Sequence, residues 1–221
     1  MVVSADTYRT QVVLLRQLVA DHKWPVVRPE AVTWETPPVC RLFPVHKLVL
    51  SGQVPRDTSL ILSIGAARGE AVRYLCDMAP ASTVVAVEQW TDTEYQDFLE
   101  QTWAYRAQVI PIRMAADVGI CQLADAGIVP AVVYCDADHM FCTLAPQLST
   151  LTRSFPLAKI IGGDWLVTDV QLAVEAAAER LGRLLNVFED SIWVINPAGY
   201  VVQRQRRVRN AGNGKNIRAG L

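Results

Sequence analysis

The sequence holds no apolar stretch long enough to cross a bilayer. Arg16 interrupts the first helical run and Asp125 interrupts "VGICQLADAGIVPAVVYC", so nothing reaches the ~18 clean residues that a spanning helix requires. No membrane partner is expected. The start "MVVSADTYRTQ" lacks a basic region followed by an apolar core, so it does not read as a secretory signal and the expected location is cytoplasmic. Cysteine is sparse and unpaired in pattern: Cys40, Cys76, Cys121, Cys135 and Cys142 are odd in number, sit mostly in apolar segments and never form C-x-x-C. That reads as buried thiols in a reducing compartment rather than a disulfide framework.

Two phosphate-binding loops are also missing. The stretch "ILSIGAARGEA", residues 61 to 71, runs from hydrocarbon into two glycines and then a helix, but Ala67 stands where G-x-G-x-x-G needs its middle glycine. Glu70 stands where a P-loop needs lysine. The remaining G-x-x-x-G turn suits close passage of an uncharged or zwitterionic ligand over bare backbone.

Of the 221 residues 51% are apolar and 19% charged, a core-rich balance that excludes disorder for the body of the chain. The net charge of −1 conceals an asymmetry. Arg204, Arg206, Arg207, Arg209, Lys215 and Arg218 follow the last acid, Asp190, which leaves the preceding body at −7. A basic tail on an acidic body could clamp phosphates or could be a solvated end.

Apolar spacing predicts an amphipathic helix over about residues 6–21. Residues 22–58 then hold six of the twelve prolines, with Trp24, Trp34 and Phe43 among them. That density argues against long helices and for an ordered, irregular flap, whose Trp24, Trp34, Phe43, His46 and Lys47 could line an acceptor pocket. From Ser59 onward short β-branched runs alternate with helical stretches. Strands are expected at 60–64, 83–88, 108–112, 131–135 and 158–162, and helices at 69–79, 93–106, 116–125, 141–153 and 168–184. "LNVFED" and "SIWVINP" are joined by a turn too tight for a crossover, which predicts an antiparallel pair. The fold class is therefore α/β, a Rossmann-like, doubly wound, mostly parallel seven-stranded sheet with a C-terminal antiparallel hairpin. The expected organisation is an N-terminal helix and flap over 1–57, the main domain over 58–200 and a basic tail over 201–221.

Candidate site residues fall at strand ends, where open parallel sheets collect ligands. Gly65, Ala66 and Gly69 form the first turn. Glu88 ends the second strand, where a carboxylate can accept both hydroxyls of a ribose, and Gln89 and Trp90 follow it, the indole able to lie against an adenine. Ala116 and Asp117, after the third strand, would meet the adenine edge and its amine. "VVYCDADH" and "IIGGDW" place Asp136, Asp138, His139 and Asp164 at the ends of the fourth and fifth strands. Carboxylates converging from neighbouring strands, about 4.8 Å apart, can hold a hard divalent cation; alternatively, short acids at such junctions cap the next helix. His139 is read as a general base or a ligand. His22 and His46 carry no comparable context as site residues, and Trp165 is better placed for substrate contact than the flap aromatics.

This order of stations resembles the class I S-adenosylmethionine-dependent methyltransferases over about residues 58–197. "ILSIGAARGEA" is similar to their first motif, Glu88 to the ribose acid, and "VVYCDADH" with "IIGGDW" to later motifs of the catechol, caffeoyl-CoA and macrolide-sugar O-methyltransferases. The resemblance implies S-adenosylmethionine at Gly65, Ala66, Gly69, Glu88, Gln89, Trp90, Ala116, Asp117 and Asp136. It further implies a divalent cation at Asp136 and Asp164; with the neighbours read from their place at the strand ends, the expected catalytic residues are Asp136 and His139 and the expected site for Mg²⁺ or another divalent cation is Asp136, Asp138 and Asp164. The implied partner is a small-molecule methyl acceptor. A nucleic acid acceptor held by the basic tail, a catalytically inactive binding protein and a homodimer stay open. Two departures stand out: Ser63 replaces the acid usual before the first glycine, and Trp165 follows Asp164 where the metal-dependent enzymes carry Asn.

Overall fold

The computed structural model describes residues 4–19, 24–33, 44–136 and 139–200. Its strands are β1 (Leu60–Ile64), β2 (Thr83–Glu88), β3 (Val109–Arg113), β4 (Val132–Cys135), β5 (Lys159–Gly162), β6 (Leu185–Phe188) and β7 (Ile192–Ile195). They form one seven-stranded sheet in the order β3-β2-β1-β4-β5-β7-β6, parallel through β5 and antiparallel for β7 and β6. The expected fold class is what the structure shows. All five residues of β1 are buried, as a central parallel strand covered on both faces requires. Pro111 sits in β3, the sheet's edge, where a missing N–H costs no ladder bond.

The helices are α1 (Ala5–Leu18), α2 (Pro44–Gln53), α3 (Glu70–Met78), α4 (Asp92–Thr102), α5 (Ala116–Asp125), α6 (Phe141–Ser154) and α7 (Thr168–Arg180). Two cores separate along the alternation of the strands. Leu62, Ile64 and Val133 face Leu15 of α1, Ile120 of α5, Leu148 of α6 and Val174 of α7. On the other side Ile61, Ala86 and Tyr134 face Leu50 of α2, Leu75 of α3 and Phe98 of α4. Each such buried Leu or Ile contributes roughly 1.5–3 kcal/mol. At the start of α4, Thr91 and Glu94 form a capping box, the threonine accepting from Glu94 N and the glutamate from Thr91 N.

The proline-rich segment corrects the expectation of an irregular flap: residues 44–53 form α2, ten residues long. Pro44 opens this helix, the one position where its fixed φ helps and its absent N–H is not missed. Trp24 packs edge-on against Trp103 at 6.0 Å and donates its indole N–H to Val109 O at 3.1 Å. It serves the second core, not a pocket at the strand ends. Trp34, Phe43 and His22 lie outside the described residues.

Candidate active site at the strand ends

Parallel register sets the site. Ile64 of β1 pairs with Val87 of β2 and with Cys135 of β4, so the next residues, Gly65, Glu88 and Asp136, stand side by side at three adjacent strand ends. The strand order reverses here, between β1 and β4, which is the switch point where open α/β sheets bind ligands. Cys135 pairs with Gly162, which puts Asp164 two residues beyond the end of β5.

The turn after β1 carries three left-handed residues: Gly65 at φ 78°, Ala67 at φ 40° and Gly69 at φ 89°. The two glycines have different reasons. Gly65 exposes main chain at the switch point, its N–H donating to Val87 O at 3.1 Å. Gly69 is required by packing, because a Cβ there would stand 2.5 Å from Thr102 Cγ2 and 3.1 Å from Phe98 Cδ2. Next in the chain, Arg68 is salt-bridged to the buried carboxylate of Asp97. Ser63 Oγ, wholly buried two residues before Gly65, has no hydrogen-bond partner among the described residues.

Glu88 is half-buried, and one of its oxygens accepts the N–H of Gln89 at 2.7 Å. Gln89 is exposed beside it. Trp90 differs from its expected place against an adenine: it is 3% exposed, packs on Phe98 at 4.5 Å and Tyr95 at 5.3 Å, and donates to Ala67 O at 2.5 Å. It is a strut under the glycine turn. Ala116 opens α5 half-buried, and Asp117 is exposed in the first turn.

The structure brings Asp136, His139 and Asp164 together. His139 Nε2 lies 2.9 Å from Asp164 Oδ2 and 3.8 Å from Asp136 Oδ1, and one ligand atom from each residue lies within 4.8 Å of the others. Burial and the neighbouring Asp164 raise the Asp136 pKa, while His139, His46 and the Tyr134 hydroxyl act to lower it. Asp138 lies outside the described residues, as does the basic tail on which the nucleic acid alternative rests. Trp165 is half-buried and packs against the first core.

His46, expected only among the flap residues that could line an acceptor pocket, packs beside the turn after β5. It is 6% exposed on α2, and its Nε2 lies 3.0 Å from Ser191 Oγ. Desolvation lowers its pKa against the opposing pull of Asp164 and Asp136. Gly163 makes room, since a Cβ there would stand 3.3 Å from His46 Cε1. At Gly162 a Cβ would collide with the Trp193 ring, whose N–H donates to Gly163 O at 2.8 Å. "GGDW" is thus a packing motif that delivers Asp164, itself at φ 57°. Lys47, next to His46, points elsewhere, over the Tyr74 ring at 5.5 Å.

No protein-family model matches the chain, and no curated protein matches its sequence. Solved structures do. The precorrin-6y C5,15-methyltransferase of Geobacter metallireducens is similar over 78% of this chain and 97% of its own, at 14% identity and TM-score 0.57. An O-methyltransferase from Bacillus cereus, in complex with S-adenosylhomocysteine, is similar over 89% and 93%, at 13% identity and TM-score 0.55. Aeropyrum pernix fibrillarin, with natively bound S-adenosylmethionine, is similar over 67% and 71%, at 15% identity and TM-score 0.51. These likenesses establish that the chain has the Rossmann-like fold found in S-adenosylmethionine-dependent methyltransferases.

Proposed function

We propose that the protein is an S-adenosylmethionine-dependent methyltransferase that transfers a methyl group to an oxygen of a small molecule. The observation that carries this reading is the row of Gly65, Glu88 and Asp136 at three adjacent strand ends. Naked main chain at Gly65 admits the methionine part of the cofactor. The Glu88 carboxylate, half-buried and oriented by the Gln89 amide, accepts from the ribose diol. Gln89, Ala116 and Asp117 border the adenine side, while Trp90 keeps the turn in shape from beneath. Solved neighbours that hold the cofactor or its demethylated product support this assignment.

The bound cofactor supplies a sulfonium methyl open to in-line attack. The chain's own part is to orient the acceptor hydroxyl and take its proton. Asp136, made more basic by burial and by Asp164, and His139 stand where that hydroxyl would meet the methyl. The same donors fit a divalent cation, two carboxylates and an imidazole converging within 4.8 Å. Such an ion would lower the pKa of a hydroxyl bound to it.

Titration calorimetry with S-adenosylmethionine and S-adenosylhomocysteine tests the cofactor reading. Glu88→Ala removes hydrogen bonds to a charged group, each worth roughly 1.5–3 kcal/mol, so the loss of even one should lower the affinity about 10- to 150-fold. Product formation with a panel of hydroxylated and aminated acceptors tests the oxygen. Absence of binding at millimolar cofactor would overturn the reading, and turnover confined to amines would overturn its oxygen part.

A further inference from the structure

The carboxylate cluster of the proposed methyltransferase contains an imidazole as well as oxygens, and that changes which ion it prefers. Two donors about 2.1 Å from one ion, at angles between about 90° and 130°, stand roughly 3.0–3.8 Å apart. His139 Nε2 lies 2.9 Å from Asp164 Oδ2 and 3.8 Å from Asp136 Oδ1, close to that spacing, and one ligand atom from each of the three residues lies within 4.8 Å of the others. The three side chains are 36–52% exposed, so an ion can enter from solvent. Trp165 offers no donor where a further oxygen ligand would follow Asp164, which leaves His139 as the third donor among the described residues.

Hard ions such as Mg²⁺ and Ca²⁺ take oxygen ligands, whereas imidazole suits zinc, copper, iron and nickel. We infer that His139 acts as a metal ligand with Asp136 and Asp164, and that this site selects a first-row divalent transition metal over magnesium. The inference rests on the site reading above but not on the identity of the acceptor.

The test uses the full, untagged chain freed of metal by a chelator, titrated separately with Co²⁺, Zn²⁺, Mn²⁺ and Mg²⁺ by calorimetry, with the visible absorption of Co²⁺ as a second readout. One equivalent of Co²⁺ or Zn²⁺ should bind at least about 100-fold more tightly than Mg²⁺. Loss of an outer-shell partner alone costs about 10–100-fold in metal affinity, so His139→Ala should weaken Co²⁺ at least that much and leave Mg²⁺ nearly unchanged. Asp136→Asn and Asp164→Asn should weaken both ions. His139 is half-exposed, so its replacement leaves the far-ultraviolet circular dichroism unaltered. Equal affinity for Mg²⁺ and Co²⁺, or a His139→Ala protein that binds Co²⁺ as wild type does, overturns the inference. S-adenosylhomocysteine binding by the same metal-free protein separates the two readings: its presence without metal selectivity removes this inference only, and its absence removes the cofactor assignment.

Discussion

Gly69→Ala separates a glycine needed for a ligand from one needed for packing. Alanine at φ 89° carries a left-handed penalty of roughly 1–2 kcal/mol. Its Cβ would also stand 2.5 Å from Thr102 Cγ2. That methyl cannot swing aside freely, because Thr102 is fully buried and its hydroxyl donates to Phe98 O at 2.6 Å. Overpacking of this kind costs about 1–3 kcal/mol, so the sum is roughly 2–5 kcal/mol. At about 2–4 °C per kcal/mol for a chain of this size, the thermal midpoint should fall by roughly 4–20 °C. Calorimetric unfolding measures it. Thr102→Ser keeps the hydroxyl and removes the methyl, so in the double variant the clash component should be recovered and the backbone component kept. The two changes should therefore be non-additive by about 1–3 kcal/mol. S-adenosylhomocysteine affinity of folded Gly69→Ala, measured well below its transition, should stay within a few-fold of wild type. A variant as stable as wild type, or one that Thr102→Ser does not rescue, would refute the packing account; a collapse of affinity with intact stability would show that Gly69 faces the ligand.

Gly162→Ala should be far worse than Gly163→Ala. The first drives a Cβ into the Trp193 ring and to 2.7 Å from Cys135 O, and the second meets only His46 Cε1 at 3.3 Å. Denaturant unfolding should show a loss of about 4 kcal/mol or more for Gly162→Ala, and parity between the two would contradict the packing described for "GGDW". The Cys76 thiol is pushed up to about 12 by burial and by Asp77. It stays protonated in the native state while the unfolded chain ionises above its ordinary 9.0, so stability is lost as pH rises from 9 toward 12. Between pH 8 and pH 10 wild type should lose about 1.4 kcal/mol more than Cys76→Ala does, and identical pH profiles in urea would contradict that burial. Among the described cysteines Cys121 and Cys142 are exposed, and these two should react with a thiol reagent in the native protein while Cys76 and Cys135 wait for unfolding.

How much of this was legible in the sequence depends on how local the cause is. β1 and β2 fall at the expected residues because each is a short apolar run closed by a turn, and that signal needs no knowledge of the rest of the chain. The juxtaposition of Gly65, Glu88 and Asp136 follows once the strands are parallel and adjacent, so those candidates were readable too. α2 was not, because proline density argues against long helices, whereas Pro44 opens a ten-residue one. His46 reaches Ser191 across 145 residues, and no spacing in the sequence reports a contact of that range. Trp90 is ambiguous in the sequence because an indole beside a ligand and an indole beneath a turn look alike there, and only the neighbouring Phe98 and Ala67 decide between them. The hairpin turn likewise holds Glu189 at φ 50° and Asp190 at φ 47° without any glycine to announce it.

A crystal structure of the protein soaked with S-adenosylhomocysteine tests the central claim most directly. The ribose hydroxyls should lie about 2.5–3.0 Å from the Glu88 carboxylate, with the homocysteine part over the main chain at Gly65. A nucleoside found elsewhere, or a crevice that stays closed to it at saturating concentration, would contradict the account.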